Sequence, residues 1–290
     1  MRNLIINADD FGNALSINEA VEEGYNAGII SSASLMVSGD AYEDAVRRIL
    51  KIKHIGVGLH LTLLDGIPVL PPDLLPNLVS KNGKFFNNPI SLGIKLFFSK
   101  RMQKQAEIEI EAQFKKFMEI GIEIDHVNSH MHFHMHPNII KILGKLLPKY
   151  GDPPVRVPYE TFVKRSDLGL LNTITRRLIS FFLKFQNRPL KKVIHKLGIL
   201  SNNSIFGLFD TGNMDEAKFI HFLHHLPNGI TEIYFHPASN ALNGHEKLPK
   251  NYQVLKERQA ITSPKVKETL LLKKISPTTY SKLKYTFLKS

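Results

Sequence analysis

The chain has no cysteine. That excludes a disulfide framework, a thiolate metal site and a cysteine nucleophile, so any metal here must be held by histidine and carboxylate. No apolar run approaches the length needed to span a bilayer. The N-terminus passes from Met1-Arg2 into Leu4-Ile5-Ile6 and two aspartates, without the apolar stretch and small-residue cleavage site of a signal peptide. A cytoplasmic location is the expectation, with peripheral contact at the inner membrane if the basic segment described below binds lipid. Acidic residues are scarce in the second half: residues 161–290 carry 21 Lys/Arg against 8 Asp/Glu, whereas residues 1–160 carry 17 against 18. Such a half suits nucleic acid, an anionic membrane or an acidic ligand, or is a solvated basic surface. No nucleic-acid-binding motif accompanies the charge, so nucleic acid is not an expected partner.

What is present in abundance is histidine. The stretch Asp125-His-Val-Asn-Ser-His-Met-His-Phe-His-Met-His-Pro137 holds five of the thirteen histidines. His130, His132, His134 and His136 alternate with Met131, Phe133 and Met135, and in an extended chain they would share one face. Four same-side imidazoles exceed what one metal needs, so one or two ligands are expected here. At 290 residues and 43% hydrophobic, without a repeat or a dividing linker, the chain can form a single domain over 1–290.

Taken in order, Arg2 to Ala8 reads as a buried strand ending in Asn7-Ala8-Asp9-Asp10-Phe11-Gly12. Two adjacent carboxylates at a strand tip repel unless a cation or a proton-transfer task uses them, though a helix cap with a surface neighbour is the bland alternative. The spacing predicts helices over 16–28, 41–50, 103–120, 138–150, 214–226 and 251–260, and strands over 29–37, 55–63, 124 onward, 155–160 and 229–237. In the third strand His60 stands among small residues, with Gly58 beside it. Pro68 to Pro89 is a long rim loop. Arg156 occupies a strand position that is ordinarily apolar: a surface edge or a substrate anchor would each explain it. His236 closes the last strand before Pro237. Strands alternating with helices predict an α/β fold, a TIM-barrel-like (β/α) barrel that need not be regular, in which Asp9, Asp10, His60, His130, His132, Arg156 and His236 meet at the C-terminal strand ends.

Thr161 to Leu200 departs from this pattern. Between Lys164 and Lys196 lie nine basic residues and one acid, Asp167, with Leu171, Ile174, Leu178, Phe182 and Phe185 at helical spacing. This basic amphipathic helical insertion fits an anionic membrane surface; a helical pair packed on the barrel, or a homodimer contact, would account for it equally.

Asn7-Ala8-Asp9-Asp10-Phe11-Gly12, Gly58-Leu59-His60, Asn128-Ser129-His130-Met131-His132-Phe133-His134 and Phe235-His236-Pro237 resemble the ordered motifs of the YdjC/ChbG-like carbohydrate deacetylases. The long histidine string, Val69-Leu-Pro-Pro and Arg156-Val-Pro-Tyr-Glu160 look most like the hopanoid biosynthesis-associated branch (HpnK). Asn128 stands where many relatives have Asp. The resemblance implies one divalent ion, Zn or Mg, on Asp10, His60 and His130, with Asp9 as general base, His236 as general acid and His132 nearby. The reaction implied is hydrolysis of an N-acetyl group from an amino sugar, in that branch an N-acetylglucosaminyl hopanoid glycolipid. A soluble chito-oligosaccharide deacetylase, a metal phosphoesterase and a non-catalytic glycan or lipid binder are the rival readings.

Overall fold

The computed structural model describes residues 2–240, 248–249 and 251–288. Six strands, β1 (Arg2–Phe11), β2 (Ser32–Leu35), β3 (Gly56–Leu61), β4 (Val127–Ser129), β5 (Ser204–Phe206) and β6 (Gly229–Phe235), form one all-parallel sheet in the order β4-β3-β2-β1-β6-β5. Parallel neighbours need crossover connections. Here these are α1 (Leu15–Asn26), α2 (Tyr42–Lys51), α3 (Pro89–Phe98), α4 (Lys100–Met118), α5 (Pro137–Leu146), α6 (Leu170–Gln186), α7 (Arg188–Lys196) and α8 (Glu216–His224). After β6 come α9 (Val254–Ile261), α10 (Pro264–Leu272) and α11 (Tyr280–Leu288).

The sheet curls, and the gap between β4 and β5 is spanned by the segment 154–160. Val127 N–H donates to Pro154 C=O, Arg156 N–H to Val127 C=O and Ile205 N–H to Tyr159 C=O. This segment reads as a strand in the sequence but makes only isolated bridges, Val155 with Val127 and Ser201, and Glu160 with Ile205. Pro153, Pro154 and Pro158 have no N–H to give to a ladder, so the stave is irregular.

Period-two alternation sorts the side chains. Leu4, Ile6, Ala8, Val57, Leu59 and Leu61 point outward into the main apolar core beneath the helices. The alternate positions, Asn7, Asp9, Ser34, His60, Asn128 and Glu232, are buried and polar and join one hydrogen-bonded set inside the barrel. At the end where the strands start, Ile5 and Ile230 pack on Tyr280 and Leu283 of α11 as a small separate cluster. The tail after Ser263, poorly patterned in sequence, thus holds two helices and closes the barrel floor.

The 161–200 region holds two helices, α6 and α7, of which the helical spacing from Leu171 to Phe185 marks the first. Leu190 and Ile194 bury α7, whereas Ser180 is the sole buried residue of α6. No described helix is long and apolar enough to cross a membrane.

Candidate metal and catalytic site

In a regular strand two adjacent side chains cannot face the same way. β1 evades this at its tip: its register with β2 shifts between Ala8 and Phe11, and Asp10 has φ 61°, the left-handed region. Both aspartates thereby reach one imidazole. His60 Nε2 lies 3.3 Å from Asp10 Oδ1, and His60 Nδ1 lies 3.8 Å from Asp9 Oδ1. His130 Nδ1 is 3.1 Å from the same Asp10 oxygen. One ligand atom from each of Asp10, His60 and His130 falls within 4.8 Å of the others, the one such cluster found among the described residues. Asp10 Oδ2 is buried without a hydrogen-bond partner among the described residues, an arrangement that is costly unless something else meets it. Two imidazoles and a carboxylate are the donor set of a divalent ion with open positions, so the residues fit one. His60 Nδ1 lies 2.6 Å from Asn128 Oδ1; an amide oxygen can only accept, so Nδ1 carries the proton and Nε2 is left as the free electron pair. Burial pushes Asp10 up, but the His130 and His60 imidazoles hold its carboxyl well below the usual range. His130, which burial pushes down, is raised by Asp10.

Asp9 is built differently. Arg156 grips it with Nη1 at 2.7 Å from Oδ2 and Nη2 at 2.9 Å from Oδ1, and Asn7 Nδ2 adds a bond of 2.9 Å. Against the burial that raises it, the guanidinium keeps Asp9 far below the ordinary carboxylate range, hence ionised. Arg156 is itself fully buried, and its remaining donors go to Glu232, with Nε 3.0 Å from both oxygens. It is neither a surface edge nor, with no exposed guanidinium, a direct substrate anchor. Glu232 in turn accepts from Tyr280 Oη at 2.7 Å. Sequence reasoning missed Glu232 and Tyr280; a glutamate at an inward position of β6 was the available signal.

The alternating histidines do not share a face. Met131 and His132 take φ of 52° and 53°, and the chain coils into a 3₁₀ turn over His130–Met135. Each imidazole therefore goes elsewhere. His132 Nε2 lies 3.3 Å from Tyr234 Oη. His134 is buried between Ser129 Oγ and the Arg156 carbonyl, and burial holds its pKa at about 3, so it is a neutral structural residue. His136 accepts from Asn138 N–H at the start of α5 and reaches the Gly93 carbonyl. The fifth, His126, fills the room that Gly58 leaves: a Cβ on Gly58 would sit 2.4 Å from its ring.

Asp9, His60, His130, His132 and His236 line a cavity of about 190 Å³, shared with Leu208, Thr211, Tyr234 and Tyr252. Glu257 of α9 accepts from the backbone N–H of His236 and of Met214, which fixes the end of β6. His236 Nδ1 is buried without a partner among the described residues. Burial lowers its pKa, against the pull of Asp10 and Asp9. Of the sequence-predicted site residues, six thus converge and Arg156 stands directly behind them.

A polar barrel mouth with this ordered set of aspartates and histidines defines a family. Residues 3–271 match the YdjC-like protein family, and the chain belongs to it. A carbohydrate deacetylase of Thermoanaerobacter pseudethanolicus is 29% identical over 239 residues, 82% of either chain. A carbohydrate deacetylase of Brevibacillus brevis is 36% identical over 172 residues, 59% of this chain and 66% of the relative. A chitooligosaccharide deacetylase of Proteus mirabilis is 33% identical over 147 residues, 49% and 54% of the two chains. The chain thus spans about two thirds of the Brevibacillus relative and about half of the Proteus one. A crystal structure of an Enterococcus faecalis V583 protein has the same fold, with a TM-score of 0.74 over 97% of this chain and 98% of that one at 22% identity.

Proposed function

We propose that this protein is a metal-dependent hydrolase that removes the acetyl group from an N-acetylated amino sugar. The observation that carries the reading is the pairing, in one cavity, of an ionised carboxylate fixed by Arg156 with the Asp10, His60 and His130 cluster. The names of the Thermoanaerobacter, Brevibacillus and Proteus relatives supply the substrate class.

A divalent ion on Asp10, His60 and His130 would lower the pKa of water and offset charge on the amide oxygen. Asp9 takes a proton from the attacking water as its oxygen adds to the acetyl carbonyl carbon. Arg156 and Asn7 keep that carboxylate ionised and aimed, so little reorganisation is needed at the moment of reaction. His236, whose lowered pKa keeps it neutral beforehand, takes that proton from Asp9 and gives it to the leaving nitrogen as the C–N bond breaks, so that the water's hydrogens end on acetic acid and the free amine. In this reading the sugar hydroxyls are met by His132 and Tyr234, which line the same cavity.

The finer reading is an N-acetylglucosaminyl hopanoid substrate, met by a cytoplasmic enzyme that sits peripherally at the inner membrane. It is supported by α6, whose Leu171, Leu178 and Phe182 face solvent among basic residues. Acetate release by metal-loaded protein from that glycolipid in detergent, beside diacetylchitobiose and an Asp9→Asn control, tests both levels. Release from the lipid alone supports the branch, and release only from the free sugar moves the substrate to soluble glycans. Release from neither overturns the deacetylase.

A further inference from the structure

We propose that α3 is a second docking element for an anionic lipid bilayer, acting beside α6; the inference extends the membrane-facing reading of α6 and rests on it for the choice of surface. α3 is absent from the sequence reading and is apolar on two sides. Leu92 and Leu96 are buried against the barrel, while Ile90, Ile94, Phe97 and Phe98 are between 53% and 78% exposed. The exposed four fall at i, i+4, i+7 and i+8, one continuous stripe of a helix. A patch of this kind marks a surface that something covers.

Charge selects the occupant. No Asp or Glu occurs from Leu74 to Ala106, where six Lys/Arg do, and none from Leu168 to Phe209, where seven do. These are the two longest acid-free runs of the chain, and they contain the two helices with exposed apolar stripes. Two copies of a chain with net charge +12 would bring like-charged surfaces together. An anionic bilayer instead gains from every cation near its surface and accepts the apolar stripe.

Position adds the reason. Gly93 of α3 accepts through its carbonyl from His136 Nε2 at 3.0 Å, and Phe97 meets the same ring edge-on, so α3 is fastened to the turn that carries His130 and His132. α6 is fastened to the segment carrying Leu208 and Thr211, through Arg176 to the Phe209 carbonyl at 3.2 Å and to Asp210. Both helices are therefore fastened to segments that line the same cavity, one carrying His130 and His132 and the other Leu208 and Thr211.

The test is co-sedimentation with phosphatidylcholine vesicles, with and without phosphatidylglycerol, of the wild type, an Ile94→Asp/Phe98→Asp variant and a Leu178→Asp/Phe182→Asp variant. Acetate release from soluble diacetylchitobiose is followed alongside. The wild type should bind the anionic vesicles, and the α3 variant should bind at least about tenfold less while keeping its soluble activity. Undiminished binding by the α3 variant overturns the proposal even if the α6 variant loses it. Loss in both variants supports it, and loss in the α3 variant alone overturns the pairing of α3 with α6. A wild type that ignores vesicles, or a dimer in light scattering that only the α3 variant dissolves, overturns it. Absence of acetate release in the wild type would sink the deacetylase reading, and the vesicle result would still decide α3.

Discussion

The barrel interior and the outer face of α6 invert the usual distribution of polarity. Inside, Asp9, Arg156, Glu232, His126 and Asp125 are all buried; outside, Leu170, Leu171, Leu178, Phe181 and Phe182 are all exposed. The interior is stable because nearly every charge has a partner: Arg156 serves two carboxylates, Glu232 also accepts from Tyr280, and Asp125 accepts from the backbone of Ser281 at 2.8 Å. α6 stays in place for a related reason. Its polar residues hold it, through Ser180 to the Glu160 carbonyl and Arg176 to Asp210, while its apolar residues are left over. Burial alone is thus a poor guide to role in this chain; what matters is whether a group has found its partner.

Removing the shared cation should damage the interior most. Arg156→Met leaves Asp9 and Glu232 buried without a counter-charge and should cost about 3–5 kcal/mol in urea unfolding, together with the activity. Asp9→Asn loses the proton acceptor and turns one of the bonds to Arg156 into donor against donor; acetate release should fall roughly 10²–10⁴-fold, with a loss in urea unfolding of about 1–3 kcal/mol, smaller than that of Arg156→Met. Tyr280→Phe strips one hydroxyl from the far end of the chain of contacts. If Glu232 positions Arg156, kcat should drop about tenfold at unchanged KM, a loss of the size expected for one hydrogen bond to a charged group. Leu283→Ala, in the same cluster, should cost stability and leave kcat unchanged.

Glu160 lies where the two regions meet, and burial, with Asp210 near it, pushes its pKa up to about 8. Because the folded state holds that proton more tightly than the unfolded one, stability is full below the ordinary glutamate range and falls as pH rises toward 8. Glu160→Gln can still accept from Leu208 and Phe209 N–H. Its melting temperature should match the wild type near pH 5 to within a few degrees and exceed it above about pH 8. The smallest effect belongs outside: Phe182→Asp should change unfolding free energy by no more than about 0.5 kcal/mol. A large loss there would mean that α6 has a buried partner, and the contrast would collapse.

Much of this was legible in the sequence. The outward residues of β1 and β3 follow strict alternation, and His60, His130 and Asp10 stand at strand ends where a parallel barrel gathers its chemistry. Alternation failed at His132 because a left-handed pair at Met131 and His132 turns the chain, and nothing in local residue preference announces it. Arg156 was visible as an oddity, but its partners lie 76 and 147 residues away. α3 was hidden because its apolar residues lie on both sides, which blurs the period that marks a surface helix.

The way α6 is held has a thermal consequence. Heat capacity rises on unfolding chiefly through apolar surface newly exposed to water. α6 already exposes Leu170, Leu171, Leu178, Phe181 and Phe182, so lifting it away from the barrel would add less to the heat capacity than releasing a helix whose apolar face is fully buried. Its detachment should appear in calorimetry as a shallow, salt-sensitive step before the main transition, with an enthalpy that depends only weakly on temperature and draws on its hydrogen bonds and the Arg176–Asp210 pair.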